Sequence, residues 1–166
     1  MPMQFDGLGI ADATARDQEW PCLRQFCVFL ENRIGRLRDL LRHFERHDLR
    51  IVALCIVDSH DSAFARIVLS SFDRGREILN LSGFAFFESD IIGVELPAGD
   101  QPFVTLCSSL LQAEVNIHYT YPLIYRGNGH GAIALSVDDL DMALKVLSER
   151  GHRMITDDDL LNDGNF

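Results

Sequence analysis

Apolar and polar positions along the chain switch repeatedly between a period near two and a period near 3.6. Gln25 to Glu31 (QFCVFLE) is β-rich and mainly apolar, as expected of a strand covered on both faces. Asn32-Arg33-Ile34-Gly35 interrupts it. From Arg36 to Asp48, Leu37, Leu40, Leu41 and Phe44 recur at helical spacing, with arginines and Glu45 on the other side. Arg50 to Asp58 and Phe64 to Ser70 are strands again, joined by turn-forming residues Ser59 to Ser62. Arg74 to Leu81 is a short helix, with Asp73 as its expected N-cap and Gly83 as its stop. Phe84 to Leu96 reads as a strand, a polar break at Glu88-Ser89-Asp90, and a second strand.

The same order then returns. Ile91 to Leu96 is a strand, Phe103 to Ala113 a helix, and Asn116 to Arg126 a strand closed by a hairpin turn at Gly127 to His130. Gly131 to Val137 is a strand, and Asp138 or Asp139 caps a helix that runs to Arg150 and stops at Gly151. His152 to Thr156 is a last strand, and Thr156 with Asp159 has capping-box spacing. At an offset of 66 residues Leu40 falls on Leu106, Phe44 on Leu110, Ile67 on Ile133 and Leu69 on Leu135, so core positions repeat as core positions. Leu37 falls on Phe103 and Asp73 on Asp139 at the same offset.

The pattern is β-α-β-β-α-β twice, the split-βαβ or ferredoxin-like plan. The expected fold is α+β: two tandem modules, each an antiparallel sheet with helices on one face. Residues 1–23 form an N-terminal extension, 24–88 the first module and 89–166 the second. Within the extension, Ala11 to Trp20 could form a short helix. Uncovered sheet faces and edges need a partner, which favours pairing of the two sheets, a homodimer, or both.

Composition narrows the function. Of 166 residues, 47% are hydrophobic, enough for a packed interior. No apolar run nears the roughly 20 residues needed to span a bilayer. Met1 to Glu19 lacks a basic start and an apolar stretch, so a cytoplasmic location is expected. The net charge is −10, which disfavours nucleic acid and anionic membranes as partners. Arg33 to Arg50 nevertheless holds six arginines, and most of the excess acid lies after Glu88. The cysteines at 22, 27, 55 and 107 have no metal-ligand or C-x-x-C spacing and read as reduced thiols. His43 and His47 lie four apart but lack the H-E-x-x-H pattern and read as a solvated face. Asp58-Ser59-His60-Asp61 reads as a polar turn, although a cation could fit it. Gly127-Asn128-Gly129-His130-Gly131 lies between strands and not before a helix, so it fails as a dinucleotide loop. Tyr119, Tyr121 and Tyr125 share one strand face and either pack at an inter-module or dimer interface or line a ligand cavity. No catalytic motif, metal or cofactor is expected.

Glu31-Asn32-Arg33-Ile34-Gly35-Arg36-Leu37, followed by Leu49-Arg50-Ile51, resembles the opening of an ACT domain, where a strand ends in a D/N-x-P-G-x-L loop before an amphipathic helix. Val115-Asn116-Ile117 stands at the matching place in the second copy, and Tyr119-Thr120-Tyr121 and Met142 to His152 are also similar to proteins made of two ACT domains. Such proteins are described as acetolactate-synthase-small-subunit-like or amino-acid-binding. The resemblance spans about residues 24–160. It implies a non-catalytic regulatory protein that binds an amino acid, branched-chain as the first expectation, and modulates a biosynthetic enzyme. It places ligand contacts at Asn32, Arg33, Ile34, Gly35, Arg36 and Leu37. Bare first-turn amides near Gly35 would suit a carboxylate. Asp58 is a candidate acceptor for an ammonium group, and Arg66 either balances Asp58 or reaches the ligand. Ile34 replaces the family's proline, and the second copy has Gln101 where the first has Gly35, so the first copy is the expected ligand loop. The alternative is a ligand-free interaction subunit that docks on an enzyme.

Overall fold

The computed structural model describes residues 21–31, 33–60, 62–125, 127 and 129–163. The helix considered at Ala11 to Trp20 lies outside them, as do Asn32, Asp61 and parts of the turn around Gly127. The elements run β1 (Leu23–Leu30), α1 (Arg36–Arg46), β2 (Ile51–Ser59), β3 (Ser62–Leu69), α2 (Phe72–Ser82) and β4 (Phe86–Glu95). They continue as α3 (Pro102–Leu111), β5 (Ile117–Leu123), β6 (Ala132–Val137), α4 (Leu140–Glu149), β7 (Met154–Ile155) and α5 (Asp157–Asn162). The doubled βαββαβ plan is therefore present.

Among the described residues the strands form one antiparallel sheet in the order β2-β3-β1-β4-β6-β5, with β7 also on β4. β4 belongs to both modules. Its first half pairs with β1, from Phe86 opposite Val28 to Ile91 opposite Leu23. Its second half pairs with β6 and β7, with Val94 opposite both Ile133 and Met154. The polar break expected at Glu88-Ser89-Asp90 is thus no break, and the expected boundary at residue 89 falls inside a strand. The polar side chains are satisfied by partners distant in sequence. Glu88 pairs with Arg76 at 2.6 Å, and Ser89 Oγ accepts from Gln25 Nε2 at 2.9 Å.

Three apolar clusters follow from this layout. Phe26, Leu40, Phe44, Ile67 and Leu79 pack α1 and α2 on the module 1 sheet. Ile92, Leu106, Leu110, Leu135 and Leu147 do the same for α3 and α4 in module 2. A third cluster lies on the opposite faces, between the modules: Leu23, Val52, Val68 and Ile91 meet Tyr121, Leu123, Tyr125 and Ile155. The sheet curls far enough for its two ends to touch, and Ile124 N–H donates to the Val52 carbonyl at 2.8 Å. Tyr121 and Tyr125 are therefore packing residues between modules.

Caps agree with the sequence in most places. Asp139 accepts from Met142 N–H at 2.9 Å, and Thr156 with Asp159 closes a capping box. α2 differs: Ser71 occupies the N-cap and Asp73 lies in the first turn. The carboxylate there still favours the helix dipole without capping it. Module 1 holds α5 from two sides. Arg24 pairs with Asp157 at 3.0 Å, and Arg50 donates to the Leu160 carbonyl and pairs with Asp163 at 3.7 Å.

Candidate functional site

The bend between β1 and α1 is tight. Arg33 N–H donates to the Glu31 carbonyl at 2.6 Å, and Arg36 N–H to the Arg33 carbonyl at 3.3 Å. Gly35 follows with φ 93°, a left-handed conformation that side chains with a β-carbon resist. Gly35 is the N-cap of α1 and supplies no capping side chain. The amides of Leu37 and Arg38 therefore head the helix with no capping group, at the positive end of its dipole.

Arg36 extends from this turn across Phe84, its guanidinium carbon 4.5 Å from the ring centroid. Its Nε is buried and has no hydrogen-bond partner among the described residues. A buried donor left unpaired carries a desolvation penalty of about 1–3 kcal/mol until an acceptor reaches it. Arg36 lines a cleft of about 320 Å³. That volume is at the lower end of small-molecule sites, which run from about 300 Å³.

Three stretches of chain converge on the cleft. Phe29, Leu30 and Glu31 come from the end of β1, Ser62 from the start of β3, and Gly83, Phe84 and Ala85 from the α2–β4 connection. The sheet order makes this meeting necessary, because β1 lies between β3 and β4. Leu30 is opposite Ala63, and Phe29 N–H donates to the Ala85 carbonyl at 2.9 Å. Among the described residues the lining is mainly apolar and aromatic, with Arg36, Glu31 and Ser62 as its polar side chains.

The expected site residues divide accordingly. Of the expected loop residues Arg36 lines the cleft; Gly35 precedes it as the N-cap of α1, and Leu37 packs on the module 1 core. Arg33 is exposed and pairs with Glu31 at 3.4 Å, and Ile34 points into solvent. Asn32 lies outside the described residues. Asp58 and Arg66 are elsewhere, on opposite faces of the sheet. Asp58 is opposite Ala63, which packs toward the helices, and Arg66 is opposite Cys55, which packs toward module 2. Arg66 lies 3.8 Å over the Tyr119 ring instead of balancing Asp58. Glu31, Ser62 and Phe84 line the cleft but were not singled out from sequence. Only Glu31 had a local signal, as the polar residue that follows the apolar run of β1.

A second polar group lies between the modules. Gln25 is 1% exposed and saturated: it donates to Ser89 Oγ and to Tyr119 OH at 2.7 Å, and accepts from Tyr121 OH at 2.6 Å. It fixes the angle between sheets and leaves no group for a ligand. Burial pushes the nearby Cys27 thiol up, against the pull of Arg66 and Ser89. Burial, with Asp90, Asp141 and Asp157 adding to it, pushes Cys22 up to about 12. Neither is a poised thiolate nucleophile.

A family profile described as the ACT domain pair matches residues 22–163. The chain belongs to this family. A search of curated protein sequences finds no match. Among solved structures, protein BT0572 from Bacteroides thetaiotaomicron is similar with a TM-score of 0.76 and 24% identity, over 84% of this chain and 96% of that one. The ligand-free regulatory subunit of aspartate kinase from Thermus thermophilus is similar with a TM-score of 0.53 and 9% identity, over 78% of this chain and 93% of that one. These likenesses show a shared fold over most of the chain. Among the described residues no helix is long and apolar enough to cross a membrane.

Proposed function

We propose that this ACT pair is a regulatory binding protein whose module 1 cleft takes a free amino acid. The observation that carries the reading is Arg36: its guanidinium is stacked on Phe84 and lines a cleft, with a buried donor that lacks an acceptor. A ligand carboxylate would satisfy that donor in a charge-assisted bond and would sit near the first-turn amides of α1. Glu31, at the rim, would accept from the ligand ammonium in place of Asp58. Leu30, Phe84 and Ala85 would enclose a short apolar side chain, in keeping with a branched-chain amino acid. Occupancy would join β1, α1 and the α2–β4 connection through one guest. It would thereby change how the protein engages a biosynthetic enzyme in the cytosol.

A thermal-shift screen with the twenty common amino acids tests this. A ligand present at 100 times its Kd adds about 2.7 kcal/mol of stability. Stabilisation by apolar, branched amino acids and not by their amides is the expected result. No shift with any of the twenty would leave the ligand-free docking subunit as the better account.

A further inference from the structure

Module 2 covers only part of the sheet face that module 1 turns toward it. Directly opposed residues in an antiparallel ladder share a face, so the ladder traces that face across the strands. At one end Leu23, Val68 and Ile91 pack against module 2. In the middle Gln25 is bound to Tyr119 and Tyr121, and Arg66 lies on Tyr119. Past Cys27 and Arg66 the same face continues into three phenylalanines. Phe29 is opposite Phe64, Phe64 is opposite Val57, and Phe87 is opposite Cys27. The ring centroids of Phe29 lie 4.6 Å from Phe64 and 6.1 Å from Phe87. Phe29 and Phe87 are nevertheless 43% and 49% exposed.

We propose that this aromatic strip docks a second copy of the chain, module 1 sheet against module 1 sheet. The strip is continuous with the inter-module interface, where the same sheet face already packs on another sheet. Aromatic residues are enriched in the buried cores of protein interfaces. Charge selects the occupant. Residues 89–166 carry twelve Asp and Glu against four Arg and Lys, so contact through module 2 brings like charges together. Residues 21–88 carry nine against ten, and Val57, Phe29, Phe64 and Phe87 are uncharged. A two-fold pairing through module 1 is therefore the contact between copies that a chain of charge −10 tolerates best. This does not depend on the amino-acid reading.

Sedimentation velocity of the full chain over a concentration series tests it. The wild type should dimerise. Phe87→Glu, away from the ligand cleft, should weaken the dimer about tenfold or more, as expected of a central interface residue. Val57→Lys should do the same from the neighbouring strand, with both variants retaining the wild-type far-UV spectrum. Leu111→Glu, at an exposed apolar position on α3, should leave the dimer intact. A monomer at every concentration, folded strip variants that dimerise at wild-type strength, or dissociation by Leu111→Glu would each overturn the proposal.

Discussion

The first helices of the two modules stand at equivalent places in the fold and face solvent in opposite ways. α1 (RLRDLLRHFER) buries Leu40 and Phe44 and carries four arginines. α3 (PFVTLCSSLL) buries Leu106 and Leu110 at the equivalent positions and has no charged residue. Phe103, Val104 and Leu111 are exposed on it. The turns that lead into these helices differ as well. Gly35 has φ 93° and leads into Arg36, which reaches a cleft. Gln101 has φ −131° and leads into Pro102, which fills the first helical position and has no N–H to offer. Duplication has kept the buried side of the helix and changed its entrance. Core positions answer to packing that both modules share, whereas the entrance is free to become a site in one and a plain turn in the other.

Core truncations should affect the two modules alike. Phe44→Ala should cost about 4 kcal/mol and Leu110→Ala about 3 kcal/mol, since both side chains are fully buried. Because β4 and the inter-module cluster tie the modules together, urea denaturation of either variant should show one transition. A separate early transition in Leu110→Ala would mean that module 2 unfolds alone. At the entrances the responses should part. Gly35→Ala places a β-carbon at φ 93° and should cost about 1–2 kcal/mol. Gln101→Ala should change stability by less than about 0.5 kcal/mol. Equal losses at the two positions, read from chemical denaturation, would remove the distinction between entrances.

The smallest effect concerns module 2. His152 Nε2 lies 3.2 Å from the buried Ser109 hydroxyl. Burial, reinforced by Arg150, holds the imidazole below its ordinary range. The unfolded chain therefore binds a proton more readily than the folded one. Stability should rise with pH through the window that ends near pH 6.5, and be lost as pH falls through it. His152→Gln should flatten that slope. An unchanged slope would place the dependence on another group.

The repeat, the helix cores and the Gly35 entrance were legible in the sequence because each rests on neighbours a few residues apart. Leu40 and Phe44 mark one helix face whatever lies beyond it. Asn32 to Gly35 interrupts an apolar strand before a helix and so must turn. The cleft walls were not legible. Ser62 and Phe84 come from other connections and meet Arg36 only because β1 runs between β3 and β4. The misread break at Glu88 to Asp90 has the same origin: Arg76 and Gln25, distant along the chain, make polar residues acceptable inside a strand. Asp58 and Arg66 were grouped by proximity in a hairpin, yet the alternation of side chains sends them to opposite faces.

The role of Arg36 is measured most directly by calorimetric titration of wild type, Arg36→Met and Pro102→Ala with the best amino acid from the screen. Met keeps an unbranched apolar stem and removes the guanidinium with its charge and donors. Losing a charge-assisted bond of about 1.5–3 kcal/mol weakens binding by roughly ten- to a hundredfold. That loss in Arg36→Met, with Pro102→Ala unchanged, is the predicted result. Wild-type affinity in Arg36→Met would contradict the assignment of the ligand to the module 1 cleft.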